Sequence, residues 1–325
     1  HIRRVARAQR PRPSIVRVAP GVTVEQRVVP LGRVGCYVPG GRYPLPSSLL
    51  MTAIPARVAG VGEVIAVCPR PNAVVMAAAI EAGVTRLLRV GGAHAIAAMA
   101  YGTETVPRVD KIVGPGNRYV SAAKTLVAAD CPIDFEAGPT ELVWISDRAR
   151  PDWIARDLIA QAEHDPDARA FFVTTSRPLA QAVARAVAAL APATGPAATA
   201  LALNGAAIVV PTLDQAIALV NRIAPEHLAT DEDAVVARMP AAGTVFVGRF
   251  AAPAAGDYVT GSNHVLPTGG VARFRGGLSV ADFVRTMSVQ RLSRDGIRRV
   301  GTAAIAMAGV EGLAGHAASI AARLA

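Results

Sequence analysis

The sequence predicts an α/β protein with two Rossmann-like, incomplete parallel-sheet lobes and a helical C-terminal tail. Short apolar segments typical of buried strands alternate with longer segments of helical periodicity, which is the pattern of successive βα units. This alternation occurs in two series, which meet near Gly138-Pro139. A ligand cleft is therefore expected between the two lobes, at the carboxyl ends of strands.

The first series contains four predicted strand–helix units. Ser47 or Ser48 provides an N-cap for the first helix, and a Pro39-Gly40-Gly41 turn follows the first strand. In chain order the predicted elements are strand Val34–Val38, helix Ser47–Ala59, strand Val64–Cys68, helix Ala73–Ala82, strand Arg86–Val90, helix Ala93–Tyr101, strand Ile112–Val113 and helix Arg118–Ala128.

The second series repeats this pattern after Gly138-Pro139. Its predicted elements are strand Leu142–Ser146, helix Asp152–Glu163, strand Ala170–Thr174, helix Leu179–Leu190, a loop over Ala191–Ala200, strand Ala207–Val210, helix Leu213–Ile223 and strand Thr244–Val247. The opening stretch to Gln26 predicts a short basic helix and then a loop, and two helices are expected after Gln290. The predicted division is residues 1–33, a basic segment on the second lobe; 34–139, the first lobe; 140–289, the second lobe; and 290–325, the tail.

Composition argues against a membrane protein and gives only weak support for nucleic-acid binding. Hydrophobic residues make up 52% of the chain, but no apolar run reaches the ~18–20 residues of a membrane span, so we expect a soluble protein. The net charge of +10 comes mainly from arginine. It permits anion or nucleic-acid binding, but charges scattered over a solvated surface explain it better. The three cysteines are far apart in the sequence, which favours a reducing, cytoplasmic compartment.

Histidines beside carboxylates or amides are the candidates for chemistry. Gln161 and His164 are three residues apart at the end of a predicted helix, so they share a face and can meet at a metal; a His that caps the helix is the alternative. Glu226 and His227 follow a helix and a proline, and the turn can present both side chains as a general-base pair. A surface ion pair is the alternative there.

Two further segments combine glycine, acidic residues and histidine. Gly256 to His264 is a polar loop between apolar segments, in which Asp257 is a candidate metal ligand and His264 a candidate substrate contact. A hydrogen-bonded turn is the other interpretation. Glu311 and His316 lie in the tail, where an ordinary helix junction also explains them.

Glycine-rich turns suggest a phosphate-binding cleft. Gly91-Gly92 and Gly114-Pro115-Gly116-Asn117 each follow a predicted strand and precede a helix, so their backbone amides can cradle phosphates. Neither matches the GxGxxG pattern of a standard dinucleotide site, and tight βα turns are the alternative.

Taken together, these segments resemble the histidinol dehydrogenase family. The matching strings begin at Val34 (VGCYVPGG), Val90 (VGGAHAIA), Lys111 (KIVGPGN), Ala137 (AGPTE), Gln161 (QAEH), Ala224 (APEHL), Gly256 (GDY, then NHVLPT from Asn263) and Glu311 (EGL, then His316). They occur in the family's order over about residues 26–320, and eight ordered matches are far more specific than any one of them.

The resemblance implies a cytoplasmic homodimer with shared active sites, one Zn²⁺ per site and NAD, which oxidises L-histidinol to L-histidine through a bound aldehyde. It implies that Gln161, His164 and Asp257 bind zinc together with His316 from the partner chain. His227 then transfers protons and Glu226 activates the water that hydrates the aldehyde. The implied substrate contacts are Thr140, Gln161, His164, His227, Asp257, His264, Glu311 and His316, and the implied NAD contacts are Tyr37, His94 and Asn117.

The chain departs from the family pattern at three places. Position 94 is His where many members have Gln, and position 140 is Thr where Ser is usual. The family also carries a further upstream segment, so we expect the full family protein to be longer than this chain. Two other functions stay open from the sequence: a related enzyme for another small alcohol, such as a sulfonated diol, and a non-catalytic zinc or nucleic-acid binding protein.

Overall fold

The computed structural model describes residues 1–40, 44–136, 138–239 and 241–324. Gly41 of the predicted turn and Ala137 of the AGPTE string lie outside the described residues. The chain divides into two compact units, one formed by residues 1–9 and 31–283 and the other by residues 10–30 and 284–325.

The strands of the described chain are β1 (Ser14–Ala19), β2 (Val22–Pro30), β3 (Arg33–Tyr37), β4 (Glu63–Val67), β5 (Arg86–Leu88), β6 (Lys111–Val113), β7 (Glu141–Ile145), β8 (Arg169–Thr174), β9 (Gly205–Val209), β10 (His227–Thr230), β11 (Thr244–Val247) and β12 (Val284–Leu292).

The α-helices are α1 (Ile2–Ala8), α2 (Pro46–Ala59), α3 (Ala73–Ala82), α4 (Gly92–Tyr101), α5 (Arg118–Val127), α6 (Pro151–Ala162), α7 (Arg177–Leu190), α8 (Pro196–Asn204), α9 (Leu213–Ile223), α10 (Asp233–Val236), α11 (Pro253–Tyr258), α12 (Arg294–Val310) and α13 (Ala314–Ala321). Short 3₁₀ turns occur at Val271–Arg273 and Val280–Phe283. Within the described ranges, no helix has the length and hydropathy needed to span a membrane.

The larger unit contains two parallel sheets wound in the same way. The first has the strand order β5-β4-β3-β6, and the second has the order β11-β10-β7-β8-β9. In each sheet the first strand in the chain is central, the next two strands extend to one side, and the chain then crosses to the other side. This is the winding of an incomplete Rossmann fold, so the predicted fold class is confirmed.

The second sheet is covered on both faces, and residues 142–145 of its central strand β7 are all apolar; Glu141 at the start of the strand is its one polar residue. Leu142 and Trp144 of β7 belong to one core with Phe172, whereas Val143 and Ile145 belong to another core with Leu228. Successive side chains of a strand point to opposite faces, so a strand buried on both sides must be apolar without interruption. The continuous run in β7 therefore identifies the middle of this sheet.

The smaller unit contains the antiparallel sheet β1-β2-β12 and the two tail helices α12 and α13. The two helices confirm the prediction for the segment after Gln290. The predicted loop before Gln26 was wrong, because residues 14–19 and 22–30 form a hairpin. Its signals were alternating β-branched residues and the turn Pro20-Gly21, in which Gly21 takes a φ of 81° that glycine accommodates without strain.

Two other predictions need correction. The loop expected over Ala191–Ala200 contains the start of α8, which begins at Pro196, a residue that fits the first turn of a helix because it needs no N–H bond there. The strand β10 was not predicted, because its four residues begin with His227 and end with Thr230 directly after a proline turn, so no apolar run marks it as a strand. That strand begins at His227 and so determines the position of the candidate base.

Candidate active site

A cavity of about 650 Å³ lies between the carboxyl ends of β3 and β6 and the amino ends of β7 and β10. The first lobe contributes strand carboxyl ends, as predicted, but the second lobe contributes strand amino ends, so the prediction of carboxyl ends was wrong for that lobe. The predicted site residues that line this cavity are Tyr37, Asn117, Thr140, His164, Glu226, His227, Asp257 and His264. They come from segments that are widely separated in the sequence, and the two sheets bring them together.

Four predicted residues lie elsewhere. Gln161 is buried behind the lining, where its side chain bonds to Thr140. His94 is the third residue of α4 and is exposed, and the cavity is lined by its neighbour Gly92 instead. Glu311 and His316 belong to the smaller unit, and both are exposed.

The Glu226–His227 pair is held by an abrupt change of backbone direction. Helix α9 ends at Ile223, and the next residue, Ala224, takes the left-handed φ of 51° that is uncommon for a residue with a Cβ; β10 begins three residues after Ala224. Glu226 and His227 are only 7% and 5% exposed. The pair is therefore a buried feature, and the alternative of a surface ion pair is excluded.

The Glu226 carboxylate is stabilised by its neighbours. Its Oε2 atom accepts hydrogen bonds from the Thr140 hydroxyl and from the Glu141 N–H, at 3.0 Å for the latter. Burial alone would raise the pKa of Glu226, but the charge of His227 and these hydrogen bonds outweigh burial and lower the pKa below its ordinary value of 4.5. Glu226 is consequently a carboxylate at neutral pH.

The same interactions orient the His227 ring. Its Nδ1 lies 3.2 Å from the Glu141 carbonyl oxygen and 3.5 Å from Glu226 Oε2. Because both neighbours are acceptors, Nδ1 carries a proton and Nε2 is the atom left to act as a base. Burial would lower the pKa of His227, but the charge of Glu226 predominates and raises it above 6.5.

A chain of hydrogen bonds links this pair to the candidate metal ligands. The Gln161 amide nitrogen donates to the Thr140 hydroxyl, which in turn donates to Glu226. The Thr140 hydroxyl thus accepts one hydrogen bond and donates another. The usual Ser would offer the same hydroxyl, so threonine preserves this link.

The donor chemistry near Gln161 fits a zinc ion. Since the Gln161 nitrogen bonds to Thr140, its oxygen is available as a ligand, and within the described chain neither that oxygen nor the His164 imidazole makes a hydrogen bond. With the Asp257 carboxylate this gives the mixed nitrogen and oxygen ligands of a catalytic zinc. Within the same residues, no three His, Cys, Asp or Glu side chains form a metal-binding group by themselves. A zinc site here therefore needs the Gln161 amide oxygen and one further ligand in addition to His164 and Asp257.

His264 lies beside Asp257 in the wall of the cavity. Its Nδ1 is 3.2 Å from the Asp257 carbonyl oxygen and 3.8 Å from the carboxylate Oδ1. Burial lowers the pKa of His264 below 6.5 although Asp257 opposes this effect. His264 is therefore a neutral imidazole that can exchange a hydrogen bond with a ligand.

The glycine turns form the opposite wall, at the carboxyl ends of β3 and β6. The Tyr37 hydroxyl accepts a hydrogen bond from the Gly92 N–H at 3.0 Å. Asn117 caps α5, since its Oδ1 accepts from the N–H groups of Tyr119 and Val120, each at 3.1 Å. Gly114 has a φ of 110°, and a Cβ there would lie 2.3 Å from the Tyr37 carbonyl oxygen. Glycine is therefore required where this turn packs on β3, and the helix start beside it is the kind of position at which a phosphate-bearing cofactor such as NAD binds.

A buried ion pair that the sequence analysis missed supports this wall. Lys124 donates to the Gly114 carbonyl at 2.9 Å and pairs with Asp134, whose Oδ2 accepts from the Gly114 N–H at 2.7 Å. Lys124 and Asp134 are 2% and 3% exposed. One feature of the sequence could have indicated this pair: Lys124 is one of only two lysines in an arginine-rich chain.

Known proteins of one family match both the sequence and the fold. The family model of histidinol dehydrogenase matches residues 1–324. The chain is 50% identical to the histidinol dehydrogenase of Methylococcus capsulatus, over 93% of this chain and 72% of that protein. It is 49% identical to that of Rhizobium meliloti, over 98% of this chain and 76% of that protein.

A solved structure agrees with these matches. The crystal structure of histidinol dehydrogenase from Elizabethkingia anophelis superposes with a TM-score of 0.95 at 35% identity, covering 99% of this chain and 77% of that one. Family model, relatives and structure all confirm the resemblance that the ordered strings predicted. This chain belongs to the histidinol dehydrogenase family.

Proposed function

We propose that the cavity oxidises L-histidinol to L-histidine in two steps, through histidinal, with both steps centred on Glu226 and His227. The chain is an NAD-linked oxidoreductase of histidine biosynthesis. The observation that carries the proposal is the buried pair itself, oriented by Thr140 and Glu141 inside a cavity that also contains His164, Asp257 and His264.

His227 is the proton acceptor. In the first step Nε2 removes the hydroxyl proton of the alcohol, and in the second it removes a proton from the aldehyde hydrate. The Glu141 carbonyl and the Glu226 carboxylate hold the opposite side of the ring and stabilise the protonated form. The bound NAD supplies the chemistry of hydride acceptance in both steps.

Glu226 acts between the two oxidations. A carboxylate that stays ionised can draw a proton from water as the water adds to the aldehyde carbon, which gives the hydrate. The hydrogen bonds from Thr140 and the Glu141 amide maintain this ionised state and fix the carboxylate position. Glu226 is therefore needed mainly for the second oxidation.

Gln161, His164 and Asp257 are proposed to hold one zinc ion, together with the partner subunit's His316 in a homodimer. When bound, zinc serves as a template that orients the imidazole and amine of the substrate. Thr140, His264 and Glu311 complete the proposed substrate contacts. Tyr37, Asn117 and His94 are the proposed NAD contacts, on the lobe of residues 34–139, in the cytoplasmic homodimer that the family resemblance implies.

Complementation tests the shared site. A mixture of His227→Asn and His316→Ala dimers, after subunit exchange, should recover about a quarter of the activity, because one site of each mixed dimer receives an intact residue from each chain. Either variant alone should stay inactive. No recovery in demonstrably mixed dimers would show that His316 acts within its own chain or not at all.

Activity is tested with purified dimer, zinc, NAD and L-histidinol. The proposal expects about two NADH per histidinol, as two successive oxidations require. Formation of NADH from a sulfonated diol but not from histidinol would overturn the substrate assignment. Absence of turnover in a zinc-loaded dimer would overturn the function.

A further inference from the structure

A second cavity, of about 590 Å³, lies at the opposite edge of the second sheet from the catalytic pair. It is lined by residues that directly follow the carboxyl ends of β7, β10 and β11, and by the first turns of α6. His227 begins β10, whereas Asp231 in the second cavity follows its last residue. The strand rise of ~3.3 Å per residue separates the two by roughly 13 Å along β10.

The topology places this cavity where parallel sheets usually bind ligands. The strand order of the second sheet reverses between β7 and β10, and a crevice opens at the carboxyl ends of strands at such a point. In the first sheet the equivalent point lies between β3 and β6, beside the glycine turns that form the proposed NAD wall. The second cavity is therefore the counterpart of the cofactor site in the other lobe.

Aromatic rings and arginines line the cavity. Trp153 and Phe250 lie with ring centroids 6.0 Å apart, and the Arg249 guanidinium is 4.9 Å from the Phe250 centroid. Arg249 and Arg156 form no ion pair with a carboxylate of the described chain. They are cations available to an anionic group, beside rings on which a flat group can stack.

Asp231 adds a buried acceptor. Its side chain is 10% exposed and its Oδ2 lies 3.4 Å from Arg148, but its Oδ1 is buried and has no hydrogen-bond partner in the described structure. An unsatisfied buried oxygen is costly and calls for a donor. A hydroxyl group of a ligand in the cavity would supply one.

We propose that this cavity is a mononucleotide site, separate from the catalytic one. A base stacks on Trp153 and Phe250, a phosphate pairs with Arg156 and Arg249, and a ribose hydroxyl donates to Asp231. An acidic residue directly after a strand that accepts from ribose is the arrangement used in Rossmann folds. A volume of 590 Å³ suits a ligand of this size.

The two tryptophans of the chain provide a direct reporter. Trp144 and Trp153 both line this cavity, so a change in tryptophan fluorescence on addition of AMP reports on it rather than on the NAD wall. The measurement uses the full dimer without histidinol. Its outcome is thus distinguishable from that of the activity assay.

The proposal expects saturable quenching by AMP with a Kd below about 1 mM. Arg249→Met should weaken AMP binding at least about tenfold, whereas Arg185→Met, which removes an exposed arginine on α7, should leave it unchanged. Asp231→Asn should weaken AMP about fivefold and leave competition by inorganic phosphate unchanged. Thermal melting of each variant reports whether it is folded.

Three results would overturn the proposal. They are no saturable response to AMP, an undiminished response in a folded Arg249→Met variant, and competition by inorganic phosphate as strong as that by AMP. The last would show an anion site without selectivity for a nucleoside.

Discussion

Replacement of Asp157 by Asn should stabilise the protein at neutral pH. Asp157 lies on α6, and its Oδ2 accepts a hydrogen bond from the Trp144 indole N–H at 3.0 Å. Burial raises the pKa of Asp157 from 3.8 to about 6, although the Trp144 bond opposes this effect. Asparagine keeps an acceptor for the indole and removes the charge.

The raised pKa of Asp157 makes the free energy of unfolding depend on pH. Between pH 3.8 and about 6 the folded protein holds the Asp157 proton more tightly than the unfolded chain does, so stability falls as pH rises through this window. The shift corresponds to about 3 kcal/mol at 1.36 kcal/mol for each pKa unit. Asp157 is only partly buried, so solvent screening reduces the expected gain for Asn to about 1–2 kcal/mol above pH 6.

Chemical denaturation of both proteins at acidic and neutral pH checks this value. The difference in unfolding free energy should be near zero below pH 3.8 and should reach its full size above about pH 6. Asp152→Asn is a matched control on the same helix, because the Asp152 side chain is 44% exposed and its bond to Arg150 lowers its pKa; it should give no gain at neutral pH. A wild-type protein as stable as Asp157→Asn at pH 7.5, or a difference independent of pH, would refute the reasoning.

Three other variants test the catalytic cavity. Thr140→Val should lower kcat/KM about 10- to 100-fold because it removes the hydroxyl between Gln161 and Glu226, and Thr140→Ser should remain near wild type; equal losses would contradict a role for the hydroxyl. Lys124→Met should lower the unfolding free energy by about 3–5 kcal/mol in chemical denaturation, and an unchanged value would show that the buried pair is not needed. Because Glu226 raises the pKa of His227, kcat/KM should increase with pH above 6.5, and Glu226→Gln should move that limb to lower pH; an unmoved limb would exclude His227 as the titrating base.

Much of the fold could be predicted because its helices carry periodic patterns. The helix Leu213–Ile223 was placed at its observed bounds, and its cap Thr212 accepts from the Gln215 N–H at 3.2 Å. The short strand β10 carries no comparable pattern, since four residues in the middle of a sheet are specified by their neighbours. Its pairing with β7 and β11 supplies the missing information.

The residues of the candidate site could be predicted from the sequence, but the hydrogen bonds that join them could not. The sequence shows that Gln161 and His164 share a helix end. Nothing local indicates that Thr140 bonds to both Gln161, 21 positions away, and Glu226, 86 positions away. The same holds for Lys124 and Asp134, whose bonds to Gly114 arise when α5 folds back against β6. Such links depend on tertiary packing, which periodicity and spacing do not encode.

Glu226 and His227 are proposed to act at different steps, Glu226 in the hydration of the aldehyde and His227 in both oxidations. Single-turnover NADH formation from L-histidinol and from histidinal, measured for Glu226→Gln and His227→Asn, tests this division of roles most directly. We predict that Glu226→Gln slows histidinal oxidation about 100-fold or more while histidinol oxidation stays within about tenfold of wild type. His227→Asn should slow both reactions about 100-fold or more. Equal losses in both reactions for Glu226→Gln would contradict this division of roles.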